Sequence, residues 1–389
     1  MQTDNYFDLV ILGGGAAGLS LGLSIATKNI PNQSCLIIEK RSEYTDDKTW
    51  GFWEFPGYPT YIYELIRSRW HSWEISDNNQ RWNMRSSAHP YCAISAKSFY
   101  HYAKTEIRKS DKVALSMGCE VFETKKHAHS FHLETSQGKI TAGQVVDTTP
   151  RKSVTFPGHA MFQAFYGIEF QLNKPMNELL NTEKASLMTE LRQTNDGLAF
   201  HYVLPYEKDT ALFEYTLFSP NHLNPASLQT VCQKHLASHL KGSPYTVLRE
   251  EYGLLPMAVS SKSTEQKGIV AGGARGGAIR AASGYAFSNI QFWAAKSAER
   301  FSKGKPIKPY KQSKTIQFLD SLFLGVLKAN PEQNVSIFTR MGERLSGDVF
   351  ARFLSQKAKA IDILKIIMSM PKLIFIKQLL RTLVARSNP

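Results

Sequence analysis

A chain of 389 residues, 42% hydrophobic and carrying 22 Phe and 16 Tyr, can bury two substantial lobes and is not a disordered polymer. Its net charge of +14 points to a partner or surface of opposite sign, for which nucleic acid and anionic lipid are the usual two. No apolar run reaches the roughly 18 residues that a spanning helix needs, which excludes a polytopic membrane protein, and Cys35, Cys92, Cys119 and Cys232 form no C-x-x-C pair, which argues against a disulfide framework or a zinc site. The chain enters its first apolar run almost at once, leaving no space for a secretion signal, so a reducing cytoplasm is the expected compartment.

That run, residues 7–12, reads as a strand and leads into VILGGGAAGLSLGLSIA, where Gly13, Gly15 and Gly18 stand in the spacing G-x-G-x-x-G and open a segment of helical periodicity. Gly13 makes the tight turn, Gly15 lets backbone approach a pyrophosphate, and Gly18 lets helix and strand pack closely. Ala16 and Ala17 begin the helix, whose free N–H groups point at the phosphates. A second apolar run, residues 35–38, ends in Glu39 and Lys40, the place for a carboxylate that bonds ribose hydroxyls. Strand, glycines, helix, strand and acid in this order predict a bound adenine dinucleotide.

Residues 47–57, DKTWGFWEFPG, are unusually aromatic for a loop and are expected to line a cleft. Residues 61–87, with Trp70, Trp73 and Trp82, read as strands of a second lobe. Residues 91–107 read as a strand end followed by an amphipathic helix with Phe99, Tyr102 and Ile107 on one side. Short strands are predicted over 119–122, 130–135 and 139–142, and residues 144–147 form a buried strand ending in Asp147, a further candidate cofactor contact. His127, His129 and His132 fall in a polar hairpin beside Lys125 and Lys126 and are read as solvated strand residues, so no metal site is predicted.

From 161 to 218 the pattern alternates, in FQAFYGIEF, GLAFHYVLP and TALFEYTLF, which predicts an antiparallel sheet with one packed face. Asn224 and Pro225 then start a helix that runs to about residue 241; its His235 and His239 share a face that reads as helix surface. LREEYGLLPM, residues 248–257, leads through a Gly-Leu-Leu-Pro turn to GIVAGGARGGAIRAASGYAF, residues 268–287, a second strand-turn-helix unit in which Gly273, Gly277 and Gly284 are candidate cofactor contacts. The nucleotide domain is thus discontinuous, covering 1–57, 88–150 and 265–312. Residues 58–87 and 151–264 form the substrate domain, and 313–389 a helical, basic region. Residues 357–386 carry seven Lys or Arg and one acid, Asp362, among aliphatics; two readings stand, helices lying in a headgroup layer and a core-packed pair with a basic outer face.

Glu214, in LFEYTLF, shares a strand face with Leu212, Thr216 and Phe218. A carboxyl in such company is desolvated and stays protonated as a general acid; a Glu on the solvent side of a sheet is the alternative. Glu250 and Glu251 are candidates for a second acid, and being adjacent on a strand only one can enter a shared pocket; an ion pair with Arg249 is the alternative. The basic residues lie among aliphatics rather than on an aromatic platform, which disfavours nucleic acid. No H-E-x-x-H or P-loop occurs, and no motif sets the number of subunits.

Taken together, the N-terminal fingerprint, DKTWGFW, FQAFYGIEF, FEYTLF, REEYGLLPM, GARGGAIRAASGYAF and the basic tail resemble, in the same order and nearly end to end, the flavin-dependent lycopene β-cyclases of bacteria and plants. The resemblance implies an α/β fold of the p-hydroxybenzoate-hydroxylase type: a Rossmann-like FAD domain with an inserted antiparallel-sheet substrate domain and a helical C-terminal tail. It implies FAD, reduced by NADH or NADPH, and an isomerisation without net redox change in which Glu214 donates a proton to an acyclic polyene. The resulting cation closes a β-ionone ring among the aromatic faces of Trp50, Phe52, Phe165 and Tyr285. It also implies an enzyme of carotenoid biosynthesis on the cytoplasmic face of the membrane that holds its substrate. The chain departs from the family at Arg280-Ala281-Ala282-Ser283, which lacks the proline before Gly284-Tyr285, and at Thr189-Glu190, where an aspartate is usual. These departures leave room for a different apolar isoprenoid, and a flavin monooxygenase would share the fingerprint.

Overall fold

The computed structural model describes residues 5–28, 33–150, 161–176, 178–221, 223–258 and 268–387. β1 (Asn5–Leu12) is buried over its last four residues and turns into α1 (Ala16–Ala26), in which nine residues are buried. A helix so apolar all round has to be covered on several sides, and α1 packs against the sheet and two later helices. β2 (Cys35–Ile38), wholly buried, lies parallel to β1, as a strand covered on both faces should. The aromatic segment forms β3 (Thr49–Trp53), followed by α2 (Thr60–Glu64), where strands were expected, and by β4 (Ser68–Trp70), β5 (Ser72–Asp77) and β6 (Arg81–Arg85). β7 (Tyr91–Ser95) runs into α3 (Ala96–Arg108), whose N-terminus is capped by the Ser95 hydroxyl accepting from the Ser98 N–H.

β8 (Val113–Ser116), which the sequence pattern does not announce, precedes β9 (Val121–His127), β10 (Ser130–Thr135) and β11 (Gly138–Asp147). Residues 139–142 and 144–147 belong to this one strand, because β11 pairs with β10 over its first half and with β1 along its length. The inserted segment contributes β12 (Met161–Leu172), β13 (Lys184–Thr194), β14 (Gly197–Pro205), β15 (Thr210–Ser219), α4 (Pro225–His239) and β16 (Tyr245–Met257). The expected Gly-Leu-Leu-Pro turn is absent: β16 stays paired with β12 through Pro256 to Met257, an edge strand on which proline costs no ladder bond. β17 (Val270–Ala271), a helical turn at Ala274–Ala278 and α5 (Phe287–Ser302) complete the first lobe, and α6 (Lys314–Ala329), α7 (Asn334–Arg344), α8 (Gly347–Leu354), α9 (Ala360–Ser369) and α10 (Lys372–Ser387) follow.

The described residues form three sheets. The first has the order β8-β2-β1-β11-β10-β9, with β17 on β11. The second has the order β16-β12-β15-β14-β13-β5-β6, antiparallel except where β13 meets β5, and β3-β7-β4 forms a small third sheet. The second sheet buries both faces. Phe213, Tyr215 and Leu217 of β15 pack under Leu228, Cys232 and Leu236 of α4. Leu212 and Phe218, on the other side, join the core that continues to α1, α5 and the C-terminal helices. Glu214 points to this second side.

Candidate active site

At the β1-α1 turn, Gly13 has φ +95°, and a Cβ on Gly18 would strike the Gly13 carbonyl, so both positions need glycine. Among the described residues no side chain caps α1, which leaves its first N–H groups to a ligand, and none comes within 4 Å of where a Cβ on Gly15 would stand. Thr148 Oγ1 locks the turn by donating to the Leu12 and Gly13 carbonyls at 2.8 and 3.0 Å. Glu39 accepts from the Gly14 N–H at 2.7 Å and from Arg41 Nε at 3.1 Å. Burial alone would raise its carboxyl, but the bonds from Arg41 and Gly14 outweigh it and hold the group below the usual range. Uncapped N–H groups, an open glycine and an ionised acid fit a diphosphate and its ribose.

This turn is one end of a continuous cavity of about 1470 Å³. Gly13, Gly15, Ala16, Ala17, Glu39, Lys40, Asp147 and Gly284 all border it, as do Trp50, Phe165, Tyr285 and Glu214. Gly18 lies behind the turn. Of the other glycine and aromatic candidates, three more are not on the cavity. Phe52 shares a face of β3 with Trp50 but lies further along the strand, where Tyr58 and Phe287 cover it in the core. Gly273 presses on α1, where a Cβ would meet that of Ala17, and Gly277 sits at φ +89° with the Tyr310 carbonyl as its neighbour. Both glycines shape the second turn from behind.

At the far end the large sheet lays down a row of side chains. Glu251 of β16, Gly167 of β12, Glu214 of β15 and Tyr202 of β14 are successive cross-strand partners. A Cβ on Gly167 would lie 3.0 Å from the Cγ atoms of both Glu214 and Glu251, so the missing side chain is what lets the two carboxyls meet. Glu214 is 8% exposed and Glu251 4%. Burial, first, and then the charge of Glu251 raise the Glu214 carboxyl well above its ordinary value. Burial raises Glu251 too, but Arg249 and Lys48 oppose it, and the proton belongs to Glu214. Glu250, on the opposite face, is exposed and accepts from Gln229 at 3.2 Å, so of the adjacent acids only Glu251 is at the site.

Tyr202 opens a chain of buried phenols: Tyr91 Oη lies 2.8 Å from Tyr202 Oη and 3.2 Å from Tyr285 Oη. A Cβ on Gly51 would collide with the first two. Leu187, Met188, Phe200, Phe338, Met341 and Phe350 extend the apolar wall, the last three from the C-terminal helices. None of these, nor Arg41, Thr148 or Tyr202, was picked out from the sequence. Tyr202 was accessible in principle, since pairing GLAFHYVLP with TALFEYTLF across the turn at 206–210 sets it opposite Glu214.

The two departures have structural accounts. Arg280 points away from the cavity and pairs with Asp320 of α6, while backbone bonds from the Ser283 and Gly284 N–H groups to the Arg280 carbonyl close the turn that lacks a proline. Thr189 and Glu190 lie off the cavity, Glu190 at φ +51°. On the α4 side of the sheet, Glu190, His201 and His235 bring one ligand atom each within 4.8 Å of the others. Burial and then Arg192 push His201 to about 2 and His235 to about 4. Arg192 Nη2 donates to His235 Nε2 at 3.0 Å, so a cation already fills that place. His127 and His132 are exposed and stack edge-on.

Among known proteins, the family model described as lycopene cyclase protein matches residues 8–380. No curated protein sequence matches the chain. Among solved structures, a geranylgeranyl bacteriochlorophyll reductase-like protein from Thermoplasma acidophilum superposes with a TM-score of 0.63 at 12% identity, covering 96% of this chain and 98% of its own. A p-nitrophenol 4-monooxygenase from Pseudomonas putida gives 0.56 at 13%, covering 95% and 100%. The flavin-dependent monooxygenase PieE, solved with FAD and substrate, gives 0.62 at 9%, covering 94% and 71%. The fold is the mixed α/β architecture of p-hydroxybenzoate-hydroxylase-like proteins.

Proposed function

Since the chain belongs to the lycopene cyclase family, we propose that it closes the acyclic ends of lycopene, or of a closely similar apolar polyene, into β-ionone rings without net redox change. The observation that carries this reading is a buried carboxyl, Glu214, raised well above its ordinary value by burial and by Glu251, at the end of a cavity whose other end has the features of a dinucleotide cradle. A cyclase requires such an acid.

Glu214 gives its proton to the terminal double bond of the polyene, leaving a tertiary cation and a carboxylate. The next double bond attacks, a six-membered ring closes, and a ring proton passes back to the Glu214 carboxylate, which restores neutrality on both partners. A cation in such a cavity is best stabilised by groups that are not nucleophiles. Trp50, stacked on Phe287 with ring centroids 5.4 Å apart, and Phe165, Phe200 and Tyr285 present aromatic faces along the wall. The phenols of Tyr91, Tyr202 and Tyr285 are raised by burial and stay neutral, spending their hydrogen bonds on one another rather than on water. Gly13, Gly15, Ala16, Ala17, Glu39 and Asp147 would hold FAD, which when reduced by NADH or NADPH would supply negative charge that favours a cation.

The substrate is a lipid, and the basic tail fits access to it. Leu364, Ile367 and Met368 of α9 and Leu373, Ile376 and Leu380 of α10 are exposed, with Lys365, Lys372, Lys377 and Arg381 also exposed among them. No helix among the described residues is long and apolar enough to cross a membrane. We therefore assign α9 and α10 to the headgroup layer on the cytoplasmic face. The test is anaerobic incubation with lycopene, FAD and a reductant. Ring-closed product without net consumption of NADH or NADPH supports the cyclase; an obligatory oxygen requirement with stoichiometric consumption assigns the protein to the monooxygenases instead.

A further inference from the structure

The second carboxyl of the pair has surroundings unlike those of the first. Glu251 does not border the cavity, so it cannot touch a bound polyene. Its Oε2 accepts from Arg249 Nη1 and, at 3.1 Å, from Thr49 Oγ1. Arg249 is itself fixed by Glu169, Nε to Oε2 at 2.7 Å, and Glu169 by Arg67 at 2.7 Å. Glu251 Oε1, buried and turned the other way, has no donor among the described residues. A buried carboxylate oxygen without a donor is costly, and the group beside it, across Gly167, is the Glu214 carboxyl.

Resting on the reading of Glu214 as the acid, we infer that Glu251 is its positioning residue, an Arg249-clamped carboxylate whose free Oε1 receives the Glu214 hydroxyl and keeps the proton on Glu214. Two things follow from the arrangement. The pair holds one proton, because two carboxylates this close in a buried site cannot both ionise at neutral pH. Only the member that borders the cavity can hand the proton on. When it does, the electron pair of the O–H bond remains on Glu214, and two neighbouring negative charges face the new cation. Proton transfer to a hydrocarbon, uphill for an isolated carboxylic acid, is then helped by attraction across a medium of low dielectric.

The charged and titratable groups around Glu251 come from every side: Arg249 on its own strand, Glu169 on β12, Glu214 on β15, Tyr202 and Tyr206 near the end of β14, and Asp46 and Lys48 before β3. Of these, Arg249 and Lys48 favour ionised Glu251, and Glu251 favours protonated Glu214. Removing the Glu251 charge therefore lowers the pH at which Glu214 loses its proton.

The test follows the acid itself. In the flavin-loaded protein, infrared difference spectra of wild type against Glu214→Gln isolate the carbonyl band of the protonated Glu214 carboxyl, and its pH midpoint is read in Glu251→Gln and Glu251→Asp. The expected order of midpoints is wild type highest, Glu251→Asp lower, Glu251→Gln lowest, since Asp withdraws the charge by one methylene and Gln removes it. The high-pH limb of cyclase activity moves down with them, a rate loss of about tenfold above the limb for each unit of midpoint shift. A midpoint that does not move, or that rises, in either variant overturns the inference. If the midpoints fall as expected while no variant or wild type cyclises lycopene, the pairing stands and the proposed function fails. If Glu251→Gln does not retain flavin, the Glu251→Asp midpoint decides alone.

Discussion

Arg280 Nη2 and Asp320 Oδ1 meet at 3.0 Å with both side chains 1% exposed, which joins the turn next to the cavity to the first of the C-terminal helices. The same guanidinium lies over the Phe353 ring at 4.2 Å and donates to the Phe353 carbonyl. Truncating it to Met leaves an unpartnered buried aspartate, with an expected loss of about 3–5 kcal/mol. The double variant Arg280→Met, Asp320→Leu should recover most of that stability, as replaced buried pairs do. Arg280→Lys should not, since an ammonium cannot serve both partners as a planar fork does. Denaturant unfolding followed by flavin absorbance checks all three.

Glu214→Gln should abolish ring closure, by at least about 10²-fold for loss of a general acid, while bound flavin is retained. It should also stabilise the fold at neutral pH. The folded carboxyl is raised well above its unfolded value of 4.5, so the folded state holds a proton that the unfolded state has lost. Stability from this group is complete below pH 4.5 and falls as pH rises from there toward the folded value. The thermal midpoint of Glu214→Gln should therefore exceed that of wild type at pH 8 and match it near pH 4. Equal midpoints at pH 8 would mean that Glu214 is ionised.

Gly167→Ala tests the meeting point of the two acids without altering either. The added methyl is 3.0 Å from both Cγ atoms and 3.3 Å from Leu212 Cδ1, an overpacking expected to cost about 1–3 kcal/mol. Ring closure should drop by more than the loss of folded protein explains, because the carboxyls are pushed apart. Activity per bound flavin is the measurement.

Lys372→Gln together with Lys377→Gln should weaken binding to anionic vesicles by about 2 kcal/mol, at about 1 kcal/mol for each basic residue near the surface, or roughly thirty-fold in partition. Binding to neutral vesicles should change little. Sedimentation at several salt concentrations separates the two contributions, and binding of the variant to anionic vesicles equal to that of wild type removes α10 from the contact.

Local chemistry made much of the architecture readable. Gly13 and Gly18, the apolar strands around them and the Asn224 cap, which accepts from the Ala226 N–H at 2.9 Å, are dictated within a few residues of themselves. Alternation alone set Glu214 with Thr216 and Phe218 on one side of β15, and the cavity lies on that side. Pairing across the sheet is a different matter. That Glu251 rather than Glu250 stands by Glu214 depends on the register of β16 against β12, which no local pattern encodes. Phe52 failed as a cavity residue for a related reason: alternation sets it on the same face of β3 as Trp50, and what covers it there is Tyr58 together with Phe287, more than 200 residues away. Arg280 owes its partner to a helix that begins at Lys314.

The cavity wall draws on residues from Leu12 to Leu354, and this has a bearing on how the protein comes into being. Strands and helices of the first 150 residues can order during synthesis, since domains generally form from the N-terminus, but the chamber has no roof until α7 and α8 have emerged and docked. Its contacts are long in sequence, and such contacts form late. A nascent chain therefore passes through a stage with its aromatic floor uncovered, when association with other chains competes with closure. Overexpression should be limited by that interval, and flavin supplied during synthesis should raise the yield of native protein more than flavin added afterwards.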